Sequence, residues 1–137
     1  ADAQHFAAEL AGKFEKERKG LSAFALTTNT SNITAIGNDY GFDVIFSRQI
    51  EGQGDEGDVF VGISTSGNSK NIVRAIETAK KMKMLTIGLL GNQGGIIKNL
   101  CDTSIVIPSN STARIQECHI LIIHILSKII DNAFYHD

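Results

Sequence analysis

A short apolar run that ends in a cluster of hydroxyls and passes at once into a helical repeat leaves a chain few choices of fold. Asp58 to Ser69 reads DVFVGISTSGNS and continues into KNIVRAIETAKKM, where apolar residues recur at helical spacing. The run is too short for a helix of its own, so the stretch predicts a buried strand, a polar turn and a helix. At the carboxyl end of a parallel strand, Ser64, Thr65, Ser66 and Ser69 can surround an anion while the next helix points its free N–H groups at it. The stretch reads as a phosphate cradle. Without GxGxxG or a Walker sequence, a phosphorylated small molecule fits it better than a dinucleotide or a nucleoside triphosphate.

The rest of the chain extends this unit. MLTIGLLG (Met84 to Gly91) and SIVIP (Ser104 to Pro108) predict two more strands, separated by a glycine turn at Gly91, Gly94 and Gly95 and a short helix at Ile96 to Leu100. Upstream, Ala1 to Phe14 has the pattern of an amphipathic helix, and LSAFAL (Leu21 to Leu26) reads as a buried strand emptying into a second hydroxyl-rich turn, TTNTSN. Ile33 to Ile36 predicts a short helix that stops at Gly37 and leaves Asn38 and Asp39 in a loop, before a further helix near Val44 to Gln53. From Ser109 the turn SNST leads into a long helix, Ala113 to about Phe134, apolar around nearly its whole circumference. Such a helix needs a partner beyond one sheet face, which predicts an oligomer. Strands alternating with helices give an α/β fold, a doubly wound parallel sheet flanked by helices, whose strands all end on one edge. Thr27 to Ser31, Ser64 to Ser69 and Ser109 to Thr112 are thereby expected to converge.

Composition narrows the partners. The 137 residues form a single domain by length, and 13 Lys and Arg against 15 Asp and Glu offer no basic field for nucleic acid. Ile120 to Ile130 is too short to cross a bilayer and is interrupted by His124, Ser127 and Lys128, so no membrane association is expected. Cys101 and Cys118 lack zinc-type spacing and read as reduced thiols of a cytoplasmic protein. The first residues are helical in pattern with no N-cap ahead of them, as though the chain opened inside the structure.

Four polar residues stand where chemistry is possible. His5 and Glu9, four apart on a helix, bring an imidazole and a carboxylate within reach of one proton or one metal ion, although exposed pairs at this spacing are common without either role. Gln116 and His124 interrupt apolar turns of the last helix, about 12 Å apart along its axis at ~1.5 Å per residue, which alone does not make a metal site. His119 is turned about 140° from His124 at ~100° per residue and reads as structural.

HFAAEL (His5 to Leu10), AIGNDYGF (Ala35 to Phe42), FSRQ (Phe46 to Gln49), GISTSGNS (Gly62 to Ser69) and ARIQECHILIIHIL (Ala113 to Leu126) together resemble the phosphoheptose isomerases of the sugar isomerase (SIS) fold. The hydroxyl loop marks the broad SIS class, whereas the combination of His5, Glu9, Gln116 and His124 marks the isomerase branch. The resemblance implies a single flavodoxin-like SIS domain over residues 1–137, with an N-terminal helix, a first strand and its GNGGS turn missing ahead of Ala1. It implies an aldose–ketose isomerase acting through an enediol on sedoheptulose 7-phosphate and D-glycero-D-manno-heptose 7-phosphate, for the heptose of bacterial surface polysaccharides. Glu9 would be the base and His124 the acid. His5, Glu9, Gln116 and His124 would surround one zinc ion, Ser64, Thr65, Ser66 and Ser69 would hold the phosphate, and Asn38, Asp39 and Gln116 would lie near the sugar. The implied assembly is a homotetramer with active sites at subunit interfaces. The family usually has Arg where Lys13 stands, which keeps the charge and loses bidentate geometry. The competing class is a non-catalytic SIS protein that binds phosphosugars or a replication initiator, and the presence of Glu9 and His124 argues against it.

Overall fold

A computed structural model of the chain gives its structure over residues 1–135. Among the described residues five α-helices and three strands follow in the order α1 (Asp2–Ala11), α2 (Thr30–Tyr40), α3 (Ser47–Gln53), β1 (Val59–Ser64), α4 (Lys70–Lys81), β2 (Leu85–Gly91), β3 (Thr103–Ile107) and α5 (Thr112–Phe134), with short 3₁₀ turns at Phe42–Val44 and Ile97–Asn99. The three strands pair in the order β1-β2-β3, all parallel. Two compact units divide the chain, Asn29–Gln116 and Ala1–Thr28 with the α5 residues from Glu117 onward.

The larger unit is the parallel sheet and its helices. Leu89 and Leu90 of β2 and Ala75, Ile76 and Ala79 of α4 are fully buried, which is where the helical repeat read from the sequence sends its apolar face. Lys80 and Lys81 in the last turn of α4 complement the helix dipole. Thr86, also fully buried, donates its hydroxyl and its N–H to the Asp102 carboxylate at 2.8 Å each, and these bonds hold the Asp102 pKa below the ordinary range. Nearby, burial raises the pKa of the Cys101 thiol. Register aligns Ser64 with Leu90 and Gly91 with Ile107, so the carboxyl ends of all three strands share one edge.

In the smaller unit, Phe6, His119, Ile123, Ser127 and Asp131 are buried. Burial of His119 agrees with the structural role read from its place on the helix.

Three local expectations change. Leu21 to Leu26 is no strand: it lies outside the three-stranded sheet, and Phe24 within it is 76% exposed. An apolar run becomes a strand only when an edge accepts its backbone bonds, and no described strand pairs with this one. The turn after it is therefore not a strand end, and the premise on which Thr27 to Ser31 was expected at the common edge does not hold. The helix after it does not stop at Gly37. Asn29 caps its start by accepting from the Asn32 N–H at 3.0 Å, and the helix runs to Tyr40, where Gly41 at φ 94° ends it. Asn38 and Asp39 thus occupy the last helical turn rather than a loop. Finally, α1 ends at Ala11, not Phe14, because the carbonyls of its last turn are taken by the Arg18 side chain.

Candidate active site

The hydroxyl loop is built by the chain's own backbone. As β1 runs out, Ser64 is buried and its Oγ accepts from the Gly67 N–H at 3.1 Å and shares a hydrogen bond with Ser69 Oγ at 2.9 Å. Ser66 Oγ accepts from the Asn68 N–H at 3.1 Å. Gly67 turns at φ 69°, and a Cβ there would lie 2.1 Å from the Gly94 carbonyl oxygen. A Cβ on Gly95 would in turn lie 2.4 Å from the Gly67 carbonyl oxygen. The two glycine turns pack backbone against backbone, and the contact is sealed where Ile97 N–H donates to Gly67 O and Ile96 N–H to Asn68 Oδ1, both at 3.0 Å. The glycines of the turn after β2 thus brace the loop.

Asn92 joins this assembly to the third strand end. At φ 54° its amide donates to the Thr65 carbonyl at 3.0 Å while its own N–H donates to the Ser109 carbonyl at 3.1 Å. Two of the three hydroxyl-rich turns therefore meet, through a residue that the sequence reading passed over. The signal was an Asn two residues before a Gly-Gly pair at a strand end, a composition suited to left-handed backbone.

Ser69 stands at the N-cap of α4, yet its side chain makes no capping bond. Its hydroxyl is turned to Ser64, and in that first turn of α4 the Ile72 N–H is instead met by the Asn71 side chain, which accepts from it at 2.9 Å. A hollow of about 250 Å³ opens beside it, lined by Phe42, Asp43, Ser69, Lys70 and Asn71. Asn38 and Asp39 are exposed and bonded to each other, Nδ2 to Oδ1, at 2.9 Å.

A second constellation is built from side chains. On α1, His5 Nε2 lies 2.9 Å from Glu9 Oε1, as the four-residue spacing predicts. From α5, His124 Nε2 approaches the same His5 nitrogen at 3.3 Å, and the two rings meet edge to face with centroids 5.1 Å apart. Phe14 stacks on the His124 ring, with centroids 5.4 Å apart and 25° between planes. The donor atoms of His5, Glu9 and His124 all lie within 4.8 Å of one another, so the three residues could hold a metal ion. Two imidazole nitrogens and a carboxylate oxygen are a donor set suited to zinc with one position left open. Gln116 lies on the exposed surface of α5. Lys13, just past α1, pairs with Glu17.

The same unit holds a buried ion pair that no sequence signal pointed to. Arg18 and Asp131 are each 1% exposed, and Arg18 Nε donates to Asp131 Oδ1 at 2.7 Å. Burial works against the Asp131 charge, but the Lys16 and Glu15 N–H groups and the Arg18 guanidinium together lower its pKa to about 2.

The sequence pattern of the SIS domain family matches residues 1–91. The chain is 61% identical over 134 residues to the phosphoheptose isomerase of a Nitratiruptor species, a match covering 98% of the chain and 72% of that protein. It is 60% identical, with the same coverage, to phosphoheptose isomerase 1 of Campylobacter jejuni. Among solved structures it is similar to the phosphoheptose isomerase of Neisseria gonorrhoeae, with TM-score 0.89 and 50% identity over 96% of the chain and 70% of that structure's chain. The Francisella tularensis phosphoheptose isomerase gives TM-score 0.91 at 42% identity, over 96% and 73%.

Proposed function

Because the chain belongs to the phosphoheptose isomerases of the SIS domain family, we propose that it interconverts sedoheptulose 7-phosphate and D-glycero-D-manno-heptose 7-phosphate, supplying heptose for bacterial surface polysaccharide. The observation that carries the reading is the meeting of His5 and Glu9 on α1 with His124 of α5, 119 residues away. Nothing in local sequence requires that a base and an acid come together there, and an enediol route requires both.

Glu9 takes the proton from the carbon next to the substrate carbonyl, and the freed C–H electron pair forms the C=C bond of the enediol. His124 protonates the carbonyl oxygen as its π pair moves onto it. Return of a proton to the former carbonyl carbon, with loss of one from the neighbouring hydroxyl, completes the transfer. Glu9 Oε1 is engaged by His5, and among the described residues Oε2 carries no hydrogen bond, so one oxygen is available for the proton while the other stays tethered. His5, Glu9 and His124 would hold a zinc ion, which would supply a positive charge to polarise the carbonyl; a nitrogen or oxygen bound to it gives or takes no proton, so the ligand roles of Glu9 and His124 compete with their roles as base and acid. Gln116 enters this ligand set, and the sugar site with Asn38 and Asp39, by family resemblance.

The phosphate is assigned to the hydroxyl loop, with Thr65, Ser66 and Ser69 beside the start of α4, where the Ser69 side chain makes no capping bond, and Ser64 orienting Ser69. Leu121, Ile125 and Ile129 form an exposed apolar stripe at four-residue spacing on α5, which supports a homotetramer with interfacial sites. A stable, active monomer in light scattering would defeat that part. No helix among the described residues is long and apolar enough to cross a membrane, and the free thiols Cys101 and Cys118 suit a cytoplasmic enzyme.

The test is exchange of the substrate's α proton with deuterated solvent. The native enzyme exchanges it and Glu9→Gln does not; continued rapid exchange in Glu9→Gln would assign the base elsewhere.

A further inference from the structure

We propose that Arg18 and Asp131 are the positioning residues of the His5–Glu9–His124 cluster, fixing the separation of the two helices that carry it. The inference rests on the catalytic and metal-binding reading of those three residues, but its geometry can be tested without it.

Arg18 spends its donors on both sides of the cluster. Nε goes to Asp131 Oδ1 at 2.7 Å, while Nη2 donates to the Glu9 carbonyl at 2.8 Å and Nη1 to those of Leu10 at 2.8 Å and Gly12 at 3.2 Å. The Glu9 carbonyl belongs to the residue assigned as base, so the guanidinium grips the backbone that aims its carboxylate. On α5, Asp131 follows His124 by seven residues, about two turns at ~100° per residue, and shares its face. The other carboxylate oxygen, Oδ2, accepts the N–H groups of Glu15 at 2.7 Å and Lys16 at 3.0 Å. These two residues follow Phe14 directly, so the same carboxylate anchors the segment whose aromatic ring stacks on His124. One buried ion pair thus ties the end of α1, the Phe14 segment and the His124 face of α5 to a common point.

A pair of this kind contributes little stability over well-packed apolar side chains, so its value here lies in the geometry it enforces. Lysine could not replace it: a single ammonium can meet Asp131 but lacks the planar fork that reaches the Glu9 and Leu10 carbonyls together.

The experiment is Arg18→Lys in the full protein, read two ways. In zinc-free protein, the cross-relaxation between the ring protons of His5 and His124, whose rings lie 5.1 Å apart, is present in the native chain and weakened or lost in the variant. In a zinc titration against a competing chelator, the variant's Kd rises by about 10-fold or more, the scale of losses when an outer partner of a ligand is removed. With substrate, kcat falls while KM changes less than about twofold, since the hydroxyl loop is untouched. If Arg18→Lys does not fold, the double variant Arg18→Met with Asp131→Leu removes both charges at once and is read identically. A folded variant with native ring cross-relaxation and native zinc affinity overturns the proposal. A native chain that shows the cross-relaxation but takes up no zinc removes the metal from the proposed function and leaves the positioning role to be judged on the ring contact alone.

Discussion

The hydroxyl loop and the His5–Glu9–His124 cluster solve the problem of holding a reactive group by opposite means. The loop is a backbone object, in which glycines at 67, 94 and 95 let two turns pack so closely that no side chain fits between them. Its bonds run mostly over two to five residues, with the second turn close to thirty residues on. The cluster is a side-chain object, drawn from helices 119 residues apart in sequence and held by a buried ion pair that spans 113. In the proposed function the backbone cradle is assigned what does not change during the reaction, the phosphate, and the side chains that can gain and lose protons are assigned the carbon and oxygen atoms that do change. Such a division predicts that damage to the two regions will be read in different kinetic constants.

The largest effect expected is on turnover. Glu9→Gln and His124→Ala should each lower kcat by about 100-fold or more with KM little altered, the usual scale for a general acid or base. A rise in KM with kcat intact would erase the distinction between the regions. Next comes Gly67→Ala, which forces a side chain into a left-handed position and onto the Gly94 carbonyl. Strain at such a position costs about 1–3 kcal/mol, and the clash adds to it. The variant should lose several degrees in Tm and bind substrate at least 10-fold more weakly, measured by calorimetry, while zinc uptake stays native. Ser66→Ala with Ser69→Ala leaves the fold intact and is milder in that sense, raising KM by about 10-fold or more, since each lost hydrogen bond to a charged group is worth about 1.5–3 kcal/mol, and leaving kcat within a few-fold. Steady-state kinetics with both heptose phosphates decides it.

The smallest effect belongs to acid. Asp131 has a folded pKa of about 2 against an ordinary 3.8, so its contribution to stability is fully present above 3.8 and is lost as pH falls toward 2. Thermal melts across that window should show a steeper loss of Tm in the native chain than in Asp131→Asn. Parallel curves would mean that Asp131 is not the group whose protonation loosens the cluster.

How much of this could be read beforehand follows the same division. The segments that became β1, α4, β2 and β3 were legible because each carries its own period, end signals and flanking turn within about a dozen residues. The hydroxyl loop was legible for that reason, and His5 with Glu9 because helical spacing alone makes them neighbours. Leu21 to Leu26 misled because composition records a residue's willingness to pair and says nothing of whether an edge is there to receive it. Gly37 misled because a glycine permits a helix stop without compelling one, and four residues on Gly41 takes the positive φ that ends the helix. Arg18 and Asp131 were invisible: an arginine in a charged turn and an aspartate near a helix end look like solvent-facing residues until burial shows otherwise. That His124 would reach His5 came from family resemblance, since no periodicity reports on a contact of this range.

The fit of Gly67 against Gly94 and Gly95 has a bearing on how such loops can be altered. Each turn is shaped to the other's main chain, so neither can be lengthened, shortened or exchanged without leaving a void or a collision at its mate. Anyone moving this hydroxyl loop onto another parallel sheet would have to carry residues 64–69 and 91–97 across together, on adjacent strands in the same register, although more than twenty residues of intervening helix and strand could be rewritten. The transferable part is a pair of discontinuous segments, and a graft of the serine motif alone should bring its side chains without the shape that makes them useful.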